Sequence, residues 1–399
     1  MEKGLILMQL LETGLYLKRW IDLDQQCSAD VNPETIQDIE AFLWALDHVN
    51  ENADLLSGLE IGAVIFDTCS SPIKAAHLVS SVLAKEGDPM LDEVSINPDR
   101  LVTIVSVASS EETEAAASVL AQAGLTTVSA KDRGDSLTAA PHQLQVEVPM
   151  SVAARAVLEL LTFYGVTYVS VVYSANDPDS LKGFRHFERL AENTEICIGL
   201  VERLNRTSTG PVLARVMGHL TAKMDMGSRV VVLWTEEADT QALLSQLNRL
   251  SPQESEVYKQ LVWISASGWS NAGPINNFGR DVGHWLAVRP QLKLVNEFAV
   301  HFSKLRPENN ERNPWFAEYW EQMNECPTGA TNADCQSRNG RISLHTTTVI
   351  QSVYAIASAL ARMIQVTIFN TLTSNHIKLS RASKTSLWMN HFSTKLRSC

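Results

Sequence analysis

Three short runs limit the fold of this chain more than any other feature: TYVSVVYS at 167–174, RVVVLW at 229–234 and QLVWIS at 260–265. Each is nearly continuously apolar, so each reads as a strand buried on both faces. A parallel sheet covered by helices on both sides imposes that pattern. Helical patterns separate the runs. Asn32 is placed to cap a helix with Pro33 at its first position, where the missing N–H costs nothing. Ile36, Ile39, Leu43, Leu46 and Val49 follow at helical spacing, and Leu59 to Thr68 is the next buried strand. The alternation continues as helix 72–85, strand 101–108, helix 111–123 and strand 126–130. A second set comprises helices 152–164, 179–192, 210–224 and 238–249 and strands 167–174, 195–203, 229–234 and 260–266. So many strands in one sheet is not expected. The pattern predicts two doubly wound α/β lobes.

Size and charge agree with a large globular protein. The 399 residues carry a net charge of −12, which argues against nucleic acid as a partner because phosphate recognition needs a basic face. No apolar run is long enough to span a bilayer. Residues 350–369 are interrupted by Gln351, Arg362 and Gln365 and read as an amphipathic helix. The opening MEKGLILMQLLETG is read as a first β-strand in preference to a signal peptide, since it has no clear small-residue cleavage site. Cysteines stand at 27, 69, 197, 326, 335 and 399, with no C-x-x-C pair and no histidine to complete a zinc set. No metal or other cofactor is expected. Asn205-Arg206-Thr207 is a glycosylation sequon.

Catalytic motifs are missing. There is no G-x-G-x-x-G, P-loop or H-E-x-x-H, and Ser265-Ala266-Ser267-Gly268 lacks the leading glycine of a nucleophile elbow. The chain is therefore not expected to be an enzyme. One local feature does suggest binding. Strand 101–108 runs into Ser109-Ser110 and then into a helix, and a turn of this kind points backbone N–H groups into the crevice at the edge of a parallel sheet. Glu111, Glu112 and Glu114 follow at once. Those residues fit equally a serine cap with an acidic first turn that complements the helix dipole. Both readings stand at this point. Beyond Val288 the chain becomes polar and aromatic, then forms a turn-rich loop (CPTGATNADCQSRNG), a helix at 345–364 and a tail to Cys399 expected to integrate poorly.

Four stretches resemble the amino-terminal module of metabotropic glutamate receptors, of the class C G-protein-coupled receptors. They are Cys27 to Cys69 with EAFLWALDHVN and DTC, ARAVLELLTFYGVTYVSVVYS at 154–174, ISASGW at 264–269, and KLRPENNERNPWFAEYWEQMNEC at 304–326. The resemblance implies a Venus flytrap like the type I periplasmic binding proteins, with two α/β lobes and a hinge. Lobe 1 would be 1–148 plus 288–363, lobe 2 would be 149–287, and 364–399 a divergent tail. It implies disulfides Cys27–Cys69 and Cys326–Cys335, and leaves Cys197 without the linker partner such receptors provide. Segment 86–100 has no cysteine for a covalent dimer, although pairing through lobe 1 is still implied.

The implied ligand contacts are altered. The family's arginine for the distal carboxylate of glutamate falls at Asp38, and a third serine after Ser109 and Ser110 has become Glu111. A threonine falls near Arg133, a lobe-2 tyrosine at Asp177 or Pro178, and the ammonium-binding aspartate at Ser267. The implied ligand set is thus Ser109, Ser110, Arg133 and Ser267, with glutamate chemistry largely lost. Ser109, Ser110 and Arg133 would form an altered site for another anion, or Arg133 would only neutralise Glu111 and Glu112. The expected function is a divergent extracellular module that closes on a small, amino-acid-like ligand. It would lie outside the plasma membrane or be secreted, with membrane attachment only through a region not in this chain. The alternatives are a ligand-less dimer partner and a soluble α/β enzyme.

Overall fold

The computed structural model describes residues 4–11, 18–21, 31–56, 59–84, 101–131, 142–205, 208–224, 226–247, 256–266, 282–324 and 342–379. In chain order the first lobe holds β1 (Gly4–Leu11), β2 (Lys18–Ile21), α1 (Pro33–Glu51), α2 (Ala53–Leu56), β3 (Glu60–Asp67), α3 (Pro72–Ala84), β4 (Leu101–Ser106), α4 (Ser110–Gln122), β5 (Thr126–Ser129) and β6 (Gln143–Gln145). The second lobe follows as α5 (Met150–Phe163), β7 (Tyr168–Ser174), α6 (Pro178–Ala191), β8 (Cys197–Leu204), α7 (Gly210–Met224), β9 (Val230–Trp234), α8 (Glu237–Leu244), β10 (Val262–Ser265) and β11 (His284–Ala287). The chain then returns through α9 (Asn296–Ser303), α10 (Phe316–Asn324) and α11 (His345–Leu379). Two separate sheets result, ordered β2-β3-β1-β4-β5-β6 and β11-β10-β9-β7-β8. The fold is a two-lobed α/β flytrap.

Each sheet is covered on both faces, as the apolar runs require. Ile61, Ala63 and Ile65 of β3 pack with α1, α9, α10 and α11, while Val64 and Phe66 face α3 and α4. In the second lobe, Val231 and Leu233 of β9 turn toward α7 and α8, and Val230, Val232 and Trp234 toward α5 and α6. The pleat's two-residue period thus sorts a run such as VVVLW into two cores. Helix α6 lies so close to this sheet that a Cβ on Gly183 would sit 2.2 Å from the Trp234 ring. Gly183→Ala should therefore destabilise by about 1–3 kcal/mol through overpacking, although the same change elsewhere in a helix stabilises. Denaturant unfolding measures this, and a neutral or stabilising result would show that the ring moves aside freely.

β1 is the departure from a parallel sheet. It runs antiparallel to both β3 and β4, with Ile6 opposite Ile65 on one side and Val105 on the other. Only residues 12–17 separate it from β2, too few for the helical crossover that makes neighbouring strands parallel. Its direction is therefore not set by the rule that governs β2-α1-β3. The capping expectation at Asn32 holds, with the Asn32 side chain accepting from the N–H groups of Glu34 and Thr35.

The return segment is fastened by polar contacts. Glu40 is buried, and its Oε1 accepts from Asn310 Nδ2 at 2.8 Å and Asn313 Nδ2 at 2.7 Å. Asn313 also accepts from the Trp315 N–H at 3.2 Å, which shapes the Asn-Pro-Trp-Phe turn. Helix α11 runs well past residue 364, to Leu379. It is long and apolar enough to cross a membrane, but Val349, Ile350, Val353, Ile356 and Ala357 are buried in the first-lobe core. That packing makes its first half a core helix.

Candidate functional site

The C-terminal ends of the parallel strands carry the candidate site. β3 ends in Asp67-Thr68-Cys69, and Asp67 Oδ1 accepts from the Cys69 N–H at 2.9 Å. Cys69 and Ser70 adopt positive φ angles of 49° and 53°, unusual for residues with side chains. Cys69 is in a disulfide; Cys27, Cys326 and Cys335 lie outside the described residues. Cys197 is free among the described residues and exposed.

At the end of β4, Ser109 caps α4 in a complete capping box. Its hydroxyl and its N–H both donate to Glu112 Oε2, at 2.6 and 3.1 Å. Thr68 donates its hydroxyl to the other Glu112 oxygen. The Glu112 carboxylate is thus fully buried at the helix N-terminus and occupies the Ser109 donors that an anionic ligand would otherwise use. Ser106 and Thr113 share a hydroxyl contact of 2.7 Å behind it.

Ser110 is differently engaged. It is 2% exposed, and its hydroxyl accepts from the ammonium of Lys182 on α6. Lys182 belongs to the second lobe, so this contact crosses the cleft. Asp179 Oδ1 lies 3.7 Å from the same ammonium, and Asp177 caps α6 by accepting from the Ser180 N–H at 2.8 Å. Nothing in the sequence marked Lys182. Its partner is 72 residues away, on a helix of the other lobe.

A second polar group lies beside the first. The Ala130 N–H donates to the Ser106 carbonyl, which sets the end of β5 against the end of β4. Lys131 follows, with Nζ 3.4 Å from Asp38 Oδ2. The Asp38 side chain is fully buried, and neither carboxylate oxygen has a hydrogen-bond partner among the described residues. Burial raises the Asp38 carboxyl above its usual range, against the pull of Lys131. Nearby, His345 at the start of α11 lies 3.0 Å from Glu147 on the segment leaving the first lobe. Burial alone would lower the imidazole; Glu147 reverses this and raises it to about 9.

Of the expected ligand set, Ser109 and Ser110 stand together at the α4 N-terminus, while Arg133 and Ser267 lie outside the described residues. Asn205 lies just after β8, with Oδ1 accepting from Arg203 Nε at 3.3 Å. Among the described residues no group of three or more His, Cys, Asp or Glu side chains could hold a metal ion.

Comparison with known proteins gives a consistent picture. The family model described as the receptor family ligand binding region matches residues 38–393. Metabotropic glutamate receptor 6 of Rattus norvegicus is 25% identical over 375 residues, covering 85% of this chain and 42% of that protein. The same receptor of Mus musculus is 24% identical over the same shares. The probable metabotropic glutamate receptor mgl-1 of Caenorhabditis elegans is 27% identical over 398 residues, 90% of this chain and 39% of that protein. The chain thus spans about two fifths of the length of these relatives.

Proposed function

The chain belongs to the receptor family ligand binding region, and from that premise we propose that it is a sensor module that shuts two lobes on a small, amino-acid-like molecule. One observation carries the reading. The N-terminal ends of α4 and α6, one from each lobe, meet through Ser110 and Lys182 where a flytrap holds its ligand. Closure of this kind works by differential affinity: a ligand that touches both lobes stabilises the closed state over the open one. Ser109, Ser110, Arg133 and Ser267 are the proposed ligand-facing positions. The relatives are named for glutamate, yet Asp38 stands where their type of module places an arginine, and its buried side chain, paired with Lys131, offers no cation to the distal carboxylate of glutamate. The ligand is therefore proposed to be another amino acid or a related small molecule. The lobe boundaries 1–148, 149–287 and 288–363 belong to the same reading, as do a position outside the plasma membrane, disulfides Cys27–Cys69 and Cys326–Cys335, glycan attachment at Asn205, and dimerisation through lobe 1.

Titration calorimetry with a panel of amino acids and small organic acids tests it. Binding by one chemical class is expected, weakened about 10- to 100-fold by Ser110→Ala through the loss of one hydrogen bond to a charged group. Absence of heat from every compound would overturn it. A second reading then gains, that of a ligand-less flytrap partner, which the occupation of the Ser109 donors by Glu112 already favours. Co-purification with a full-length relative would test that reading.

A further inference from the structure

We propose that Lys182 is a built-in occupant of the cleft: its ammonium fills a position suited to a primary amine and holds the lobes together without ligand. The contact itself is the first ground. Lys182 on α6 donates to Ser110 on α4; Ser110 is 2% exposed, while the Lys182 side chain is half-buried. The second ground is reach: Lys182 lies in the second turn of α6 with Asp179 one turn back at 3.7 Å, yet its ammonium extends past that partner to Ser110 of the other lobe. The third is the local charge. Asp179 lies 3.7 Å from the ammonium, and Glu111 and Asp177 stand at the same two helix ends, while the Glu112 carboxylate is taken by Ser109 and Thr68. An ammonium suits that setting and a second carboxylate does not. Ser110 is also spared from capping, because Ser109 performs it, and so its oxygen is available to accept from lobe 2.

A part-buried hydrogen bond from a charged donor is expected to favour the closed over the open arrangement by about tenfold. The empty protein would then already favour closure. A ligand that displaces Lys182 must bridge the lobes itself to keep them shut, and an amine would compete with Lys182 directly. This inference rests on the two-lobed fold and not on the identity of any ligand.

The test uses the ligand-free full chain. Spin labels at the exposed positions Ser118 on α4 and Glu188 on α6, with Cys197→Ser and Cys399→Ser so that neither cysteine outside the two implied disulfides takes a label, report the distance between lobes. The parent should give one short, narrow distribution. Lys182→Ala should move its maximum to longer distance, and Lys182→Arg should retain the short one and serve as the folding control. Millimolar n-propylammonium, which replaces the atoms lost, should return Lys182→Ala to the short distance, whereas equal sodium chloride should not. An unchanged distribution in Lys182→Ala overturns the proposal, and so does an opening that n-propylammonium fails to reverse. A blank calorimetric panel would leave these outcomes untouched, so the two readings fail separately.

Discussion

Lys131→Met should lower the unfolding free energy by about 3–5 kcal/mol at pH 7, the cost of leaving a buried charge without its partner. Methionine keeps the unbranched stem and removes only the ammonium, so packing is nearly preserved. What remains is Asp38, fully buried, with no hydrogen bond to either oxygen among the described residues. His345 is the other cation that favours its charged form, and Glu34 opposes it. The Asp38 carboxyl is already raised by burial, and losing Lys131 raises it further. Protonation then relieves the defect, so the deficit should shrink as the pH falls through this raised range. The double variant Asp38→Leu, Lys131→Met should recover most of the loss, because apolar replacement of a buried pair is often neutral or stabilising. Guanidinium unfolding of the single and double variants at pH 7 and pH 5 measures all three expectations. A single-variant cost below about 1 kcal/mol would mean that water reaches Asp38 and the pair acts as a surface one.

The two-lobed architecture was legible because strands such as VVVLW are apolar on both faces, a pattern only a doubly covered sheet produces. β6 and β11 were not legible. Gln143–Gln145 and His284–Ala287 are short edge strands that stay largely exposed, and without burial there is no periodic signal. The antiparallel direction of β1 was likewise hidden, since LILMQL reads the same in either sense. At the site, Ser109 and Glu112 formed a recognisable Ser-x-x-Glu pattern, and local spacing was enough to propose a cap. It could not show Thr68 reaching the same carboxylate from β3. Lys182 with Ser110, Lys131 with Asp38 and His345 with Glu147 are all pairs distant in sequence. Each side chain alone resembles an ordinary surface charge, and only the fold brings the partners together.

The His345–Glu147 pair makes stability fall with rising pH over a defined window. The imidazole is raised from 6.5 to about 9 in the folded chain. A base bound more tightly to its proton when folded stabilises fully below the unfolded value, and the gain is lost as pH rises through the folded one. The window is therefore about pH 6.5 to 9, and the full shift corresponds to about 3 kcal/mol. The imidazole side chain keeps 24% of its surface exposed, so screening by solvent should trim the measured change to about 2 kcal/mol. Urea unfolding at pH 6, 7.5 and 9 should show the parent losing this amount relative to His345→Gln, which has no proton to lose. Glu147→Gln should flatten the profile in the same way, because it removes the group that raises the imidazole. The location gives the effect a mechanical consequence. Glu147 lies on the segment that leaves lobe 1 for α5, and His345 opens the helix that fastens the return segment to α1. Losing the proton unties the segment between β6 and α5 from the start of α11. Parallel profiles for the parent and His345→Gln would remove both the ion pair and the tie it makes.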